Sequence, residues 1–355
     1  MKKRLLAILL ATFLLPFALF SCGGRGEADV HVFYYTFSDT YISSVRGALG
    51  KALGDKGISY QDYDANGNQT TQTEQIRTAI TKGARVLLVN IVNTGSDDAA
   101  NEIVGLAKNA GIPLIFFNRE VSDAVVSSYD NCAFVGTSAV ESGILQGEMV
   151  GEYLLEHYDA LDLNKDGKIS YVLFKGEEGN NEAIYRTQYS VEKANEMLAE
   201  QGKKPLYFYD PSNTNGYLVD QNGQWSASAA NDYMTTILAS HSTANKNMIE
   251  LVICNNDSMA EGAISALNTA GYNKGGDSPT IPVFGVDATD AAKSLIKSGK
   301  MTGTVQQDAA GMAAALALLA SNSLDQALAL MAGTESLSVD QNARKIRIAY
   351  AKYRG

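Results

Sequence analysis

Apolar and polar positions alternate in blocks along this chain. VHVFYYTF (30–37) precedes an amphipathic stretch from Tyr41 to Lys56, GISYQDYDA (57–65) precedes TQTEQIRTAITKG, and ARVLLVNIV (84–92) precedes DDAANEIVGLAKNAG. IPLIFFN (112–118) closes this first series. KISYVLFKG (168–176), IELVICNN (249–256) and IPVFGVD (281–287) repeat the theme, the last two followed by the helical patterns SMAEGAISALNTAG and TDAAKSLIKSG. Strand-like runs alternating with helical segments predict right-handed βαβ units and parallel sheets. Near-continuous apolar runs such as VLLVNIV and PLIFFN belong to strands covered on both faces. The pattern therefore predicts two doubly wound α/β domains, and 355 residues with 45% hydrophobic content suffice for two cores.

Two segments break the rhythm. DPSNTNGYLVDQNGQ (210–224) is rich in turn formers and reads as an exposed loop before Trp225. AAGMAAALALLASNSLDQALALMAG (309–333) is apolar but interrupted by Ser, Asn and Asp, which predicts a buried helical pair rather than a membrane span.

The N-terminus changes the picture of where the chain resides. Lys2, Lys3 and Arg4 precede an apolar run from Leu5 to Phe20, shorter than the roughly 20 residues a bilayer-spanning helix needs, so it reads as an export signal. LFSC followed by GGRGEAD resembles a bacterial lipobox, with Cys22 as the lipidated new N-terminus and Phe20 bulkier than the usual residue there. Two or more acyl chains on Cys22 would hold the protein at a membrane surface. Cys132 and Cys254, each beside an apolar run, read as buried free thiols. His31, His157 and His241 have no zinc-like spacing. A net charge of −10 without clustered Lys and Arg argues against a nucleic-acid partner.

Candidate chemistry collects at strand ends, where open parallel sheets bind their ligands. Asn118 ends one strand, Asn255 and Asn256 another and Asp287 a third, while Asp39 follows the first. Taken singly, each is explained by helix N-capping. As a set, joined by an arginine and the aromatics Tyr41 and Trp225, they describe a clamp for a polyhydroxylated ring. Planar groups bond vicinal hydroxyls in pairs while aromatic rings cover the C–H face. The chain has no G-x-G-x-x-G after a strand, no phosphate-binding loop, no G-x-S-x-G and no metalloprotease helix. Asp39 and Asp287 form the pair a glycosidase would need, but nothing local singles out a general acid.

DLNKDGKIS (162–170) matches the first half of an EF-hand loop, with Asp162, Asn164 and Asp166 at alternate positions and Gly167 at the turn. Position twelve is Leu173 rather than a glutamate, and a strand-like run follows. Spacing alone leaves two readings open: a calcium site completed by a distant carboxylate, or a solvated Asx/Gly turn.

DLNKDGKI, KGEEGNNEAIYR, VICNNDSMAEGA, IPVFGVDA and SGKMTGTVQQDA together resemble the galactose/glucose-binding proteins of bacterial periplasms, the MglB family. FFNRE, SYDNCAFVGT and ESGILQGE are similar too, and the resemblance runs from about Val30 to about Tyr350. It implies a type I periplasmic binding protein fold: two doubly wound α/β lobes joined by a three-segment hinge, with the ligand cleft between them. The implied organisation is a signal peptide over 1–22 and a linker over 23–29, followed by one lobe from 30–136 plus 308–346 and another from 137–307 plus 347–355.

The resemblance implies that Asp39, Asn118, Arg186, Asn256 and Asp287 bond sugar hydroxyls and that Tyr41 and Trp225 sandwich the ring. Tyr41 stands where the family has Phe, Asn180 where it has His, Glu182 where it has Asp, and Gln307 where it has Asn. Two of these changes lengthen a hydroxyl-bonding group by a methylene, which bears on the choice of hexose. The resemblance also implies a structural Ca2+ held by Asp162, Asn164, Asp166, Ser170, the Lys168 carbonyl and a remote Glu250, with Ser170 replacing a longer Gln. The implied partners are D-glucose or D-galactose, or another monosaccharide, and the permease and ATPase subunits of an ABC importer, served by a monomer that is lipid-anchored and periplasmic. Some members also signal to a chemoreceptor. The implied role is capture by hinge closure rather than catalysis; a regulator of the related fold would need an N-terminal helix-turn-helix, and the leader occupies that place.

Overall fold

The computed structural model describes residues 28–332 and 337–355. The leader, the lipobox with Cys22 and most of the linker lie outside the described residues. The chain begins with β1 (Val30–Tyr34), α1 (Thr40–Asp55), β2 (Tyr60–Asp64), α2 (Gln69–Thr81), β3 (Val86–Val89), α3 (Asp98–Ala110), β4 (Leu114–Phe117), α4 (Asp123–Ser127) and β5 (Cys132–Gly136). A second series follows: α5 (Ala139–Leu161), β6 (Ser170–Lys175), α6 (Asn181–Glu200), β7 (Tyr207–Phe208), β8 (Leu218–Val219), α7 (Ala227–Leu238), β9 (Leu251–Cys254), α8 (Asp257–Thr269), β10 (Val283–Asp287), α9 (Asp290–Lys297) and β11 (Gly303–Gln306). The chain then adds α10 (Ala309–Ser321), α11 (Leu324–Met331), β12 (Leu337–Asp340) and β13 (Lys345–Ile348) to the first lobe and β14 (Ala351–Tyr353) to the second.

One sheet runs β12-β13-β5-β4-β3-β1-β2 and the other β14-β11-β10-β9-β6-β7, with β8 also on β6. Pairing is parallel throughout except at two edges, β12 on β13 and β14 on β11. This is the type I periplasmic binding protein architecture. Side-chain alternation explains the continuous apolar runs. Val32 and Tyr34 face a core shared with α1 and α10, while Phe33 between them faces α2 and α3. In the second sheet Val172 and Phe174 pack toward α7 and α8, and Tyr171 and Leu173 toward α5 and α6. Both β1 and β6 are buried on both faces, so neither set of positions is predominantly polar.

The chain crosses between the lobes at Thr137–Ser138, Gln307–Asp308 and Ala349–Tyr350. The third crossing corrects the boundary expected after residue 346: β13 continues to Ile348, which pairs with Leu337, so residues 347 and 348 belong to the first lobe. The run KIRIAYAKY is thus two strands in two sheets. The segment 210–224 is likewise not a free loop throughout, because Leu218–Val219 pair with Phe174–Lys175 and Asp220 is buried. The apolar segment after residue 309 forms the packed pair α10 and α11, and among the described residues no helix is long and apolar enough to cross a membrane. Cys132 and Cys254 are free and buried in different sheets.

Candidate functional site

The carboxyl ends of β1, β4, β6, β9, β10 and β11 face one another across the gap between the lobes. Three residues there have two duties. The Asp39 carboxylate caps α1 by accepting from the Ile42 N–H at 2.7 Å, and its other oxygen accepts from the Tyr35 hydroxyl at 2.7 Å. Asn256 caps α8 through Met259 N–H at 2.9 Å and donates to the Trp225 carbonyl at 3.2 Å. Asn180 caps α6 through Ala183 N–H and reaches the Thr94 hydroxyl of the other lobe at 3.3 Å. N-capping and cavity lining are compatible because a cap fixes the side chain beside the helix N-terminus, at the sheet edge.

Two others sit where the backbone departs from ordinary geometry. Asn118 has φ 61° and Asp287 φ 126°, conformations that persist only where the surroundings enforce them and that cluster at functional sites. Trp225 also has positive φ, 55°. Its indole lies against Gly176, where a Cβ would fall inside the ring system.

Asp39, Tyr41, Asn118, Asn180, Glu182, Arg186, Trp225, Asn256, Asp287 and Gln307 all line one cavity, with about 370 Å³ of atom-free space. Tyr35, Ile42 and Arg119 line it too. The strand-end rule could have found Arg119, which directly follows Asn118, but a search for carboxamides and carboxylates passed over it.

Arg186 is the electrostatic centre. It is 4% exposed and donates to the Asn255 carbonyl at 3.0 Å, to Gln307 Oε1 at 3.2 Å and to the Tyr350 hydroxyl at 3.0 Å. Asn255 is therefore a buried support rather than part of the lining. Burial pushes the Asp287 and Glu182 carboxyls up, and in both Arg186 opposes the shift. Among the described residues that line the cavity, four buried polar atoms have no partner: Arg119 Nε, Glu182 Oε2, Arg186 Nε and Gln307 Nε2.

The residues expected to hold calcium are arranged otherwise. Glu250 is fully buried, and its two oxygens accept from Asn164 N–H at 2.8 Å, Ser170 N–H at 2.8 Å and the Ser170 hydroxyl at 3.1 Å. The Asn164 amide is committed to the Met248 backbone, accepting from its N–H at 2.7 Å and donating to its carbonyl at 2.9 Å. Asp162 instead accepts from Asp166 N–H and Gly167 N–H, and Asp166 from Lys168 N–H. Among the described residues no three His, Cys, Asp or Glu side chains converge as a metal cage. The donor set does not fit calcium as arranged, because its amide and glutamate are committed to a hydrogen-bonded staple between the loop and β9. The Ser170 hydroxyl takes part in that staple, donating to the Met248 carbonyl at 2.8 Å and to Glu250 at 3.1 Å.

The model of the periplasmic binding protein domain matches residues 30–327. The D-galactose/methyl-galactoside binding periplasmic protein MglB of Haemophilus influenzae is 34% identical over 99% of this chain and 96% of that protein. The chain belongs to the MglB family of periplasmic binding proteins. A second relative, a putative rhizopine-binding protein of Rhizobium meliloti, is 31% identical over 84% of this chain and 82% of its own length. Among solved structures, an ABC transporter solute binding protein from Bacillus halodurans with bound myo-inositol is 26% identical, with a TM-score of 0.66 over 94% of this chain and 96% of that one. One from Clostridium phytofermentans with bound β-D-glucose shares the fold, with 20% identity and a TM-score of 0.67 over 92% and 93% of the two chains.

Proposed function

We propose that the protein captures a hexose, D-glucose or D-galactose, between its lobes and presents it to the permease and ATPase subunits of an ABC importer. The observation that carries this reading is the set of four unpartnered buried atoms, Arg119 Nε, Glu182 Oε2, Arg186 Nε and Gln307 Nε2, around a single cavity. A buried polar group left without a partner costs about 1–3 kcal/mol. A ring of hydroxyls, each both donor and acceptor, satisfies one acceptor and three donors at once. Trp225 and Tyr41 supply apolar faces for the C–H surface of such a ring. The name of the Haemophilus relative supports a galactoside, and the inositol-bound neighbour a polyhydroxylated ring in general.

Capture requires the lobes to part and close about the three crossings, a motion that short connecting segments permit. Export by the leader and anchoring through Cys22 belong to the same reading and rest on the sequence of the N-terminus.

The test is calorimetric titration of the chain starting at Gly23, stripped of carried-over ligand by unfolding and refolding, with D-glucose, D-galactose and myo-inositol in parallel. One-to-one heat with a hexose and no release of product from an aryl hexoside is the expected result. Folded protein that gives no heat with either hexose removes the hexose assignment, and turnover of the aryl hexoside makes the protein a glycosidase instead.

A further inference from the structure

Arg119 and Glu177 stand on opposite sides of the cleft. Arg119 follows β4 in the first lobe and Glu177 follows β6 in the second. Arg119 Nη2 donates to Glu177 Oε2 at 2.7 Å and to the Val92 carbonyl at 2.8 Å. Its guanidinium carbon lies 4.5 Å from the centre of the Tyr35 ring, which lines the cavity. The Arg119 side chain is 5% exposed and that of Glu177 24%. Among the described residues this is the one ion pair that joins the two lobes; the other side-chain bonds across the cleft are neutral or single-ended. They are Thr40 with Ser258 at 2.9 Å, Asn180 with Thr94 at 3.3 Å, and Glu120 N–H with Glu182 at 3.2 Å.

Glu177 has a second contact. The same Oε2 accepts from the Trp225 indole N–H at 3.4 Å. The carboxylate is therefore a node between the arginine of the opposite lobe and the aromatic wall of the cavity. Opening the cleft separates Arg119 from Glu177 and returns both charges to water. Closing it restores a charge-assisted bond in a largely dehydrated setting, where such bonds are strongest.

We infer that Arg119 and Glu177 form a latch across the cleft, which slows release of the bound ligand and couples closure to the seating of Trp225. The latch rests on the reading of the protein as a hinge-closing binder. Removing one partner of a buried, hydrogen-bonded charge pair acts mainly on dissociation rather than association. Glu177 does not line the cavity, so Glu177→Gln changes the latch without removing a cavity-lining side chain.

Trp225 is the sole tryptophan, so its emission in stopped flow reports binding directly. With D-galactose or D-glucose, whichever binds, Glu177→Gln is expected to raise koff about tenfold and leave kon within about twofold. Glu177→Asp, which keeps the charge, is expected to fall between the Glu177→Gln variant and wild type. In the Arg119→Gln background, adding Glu177→Gln is expected to change koff little, because the pair is already broken. An unchanged koff in Glu177→Gln, or an equal effect of that change with and without Arg119, overturns the latch. A wild-type protein that binds neither hexose overturns the function reading instead. Acrylamide quenching of Trp225 in sugar-free protein then decides the latch: Glu177→Gln raises it if the pair holds the lobes together and leaves it unchanged if it does not.

Discussion

The hydroxyl of Tyr350 accepts from Arg186 Nη2 at 3.0 Å and from the Thr137 hydroxyl at 2.7 Å. Thr137 and Tyr350 belong to the first and third crossings, and Gln307 of the second crossing accepts from the same Arg186 nitrogen at 3.2 Å. One guanidinium inside the cavity is thereby tied to all three segments about which the lobes turn. A ligand that engages Arg186 acts on the hinge without an intervening chain of contacts.

Tyr350→Phe removes this shared acceptor while keeping the ring. A hydrogen bond to a charged group contributes about 1.5–3 kcal/mol, so hexose affinity is expected to fall roughly tenfold or more. Calorimetric titration against wild type measures it, and a change under about twofold would show that Arg186 finds an equivalent partner.

Gly176→Ala places a methyl group where the Trp225 indole lies. The ring must move out of the cavity wall or the backbone of both segments must shift, at a cost of about 1–3 kcal/mol. Weaker sugar binding with a red-shifted Trp225 emission is the expected outcome. Unchanged emission and affinity would mean that the glycine is dispensable.

Asp257 is fully buried, and burial pushes its carboxyl up to about 7 despite bonds from the Thr304 hydroxyl at 2.6 Å and Thr289 N–H at 2.8 Å. Asp287 is raised in the same direction, chiefly by burial. An acid whose folded pKa exceeds its unfolded value of about 4 keeps its proton in the folded state while the unfolded chain loses it. Its stabilisation is present below about pH 4 and is lost as pH rises toward about 7. Glu120, Glu152 and Glu178 act oppositely. Although burial alone would raise them, bonds to Lys or Arg hold them low, and their stabilisation is lost as pH falls below about 4. Thermal melts of sugar-free protein should therefore peak at about pH 5 and decline toward about pH 8. Asp257→Asn is expected to flatten the alkaline decline; an equally steep decline in that variant would remove Asp257 as its cause.

The staple at Glu250 offers a separate measurement. Glu250→Ala strips three acceptor contacts from buried donors, two of them backbone N–H groups. A loss of roughly 2–4 kcal/mol is expected. Because the Asn164 amide is already satisfied by Met248, the midpoint of thermal unfolding is expected to be the same in calcium and in chelator. A calcium-dependent rise in the midpoint would show that the loop rearranges into a metal cage.

Seven strands (β1 to β4, β6, β9 and β10), their order of appearance and most of the cavity lining were legible in the sequence, because each rests on local chemistry. Apolar runs bounded by turn formers make doubly covered strands, and a polar residue just past a strand end both caps the next helix and faces the sheet edge, as Asp39 and Asn256 do. The chain order alone did not reveal where KIRIAYAKY breaks between two sheets, since both halves carry the same strand pattern and only pairing with β5 and with β11 separates them. It did not reveal that Glu250 accepts directly from the Asn164 and Ser170 backbone and that the Asn164 amide is held by Met248, because residue types at calcium spacing do not say which backbone groups reach them first. Nor did it bring Arg119 to Glu177, or Tyr350 to Arg186 and Thr137. Those contacts join residues 58, 164 and 213 positions apart, and only the packing of two lobes across three crossings puts them within reach.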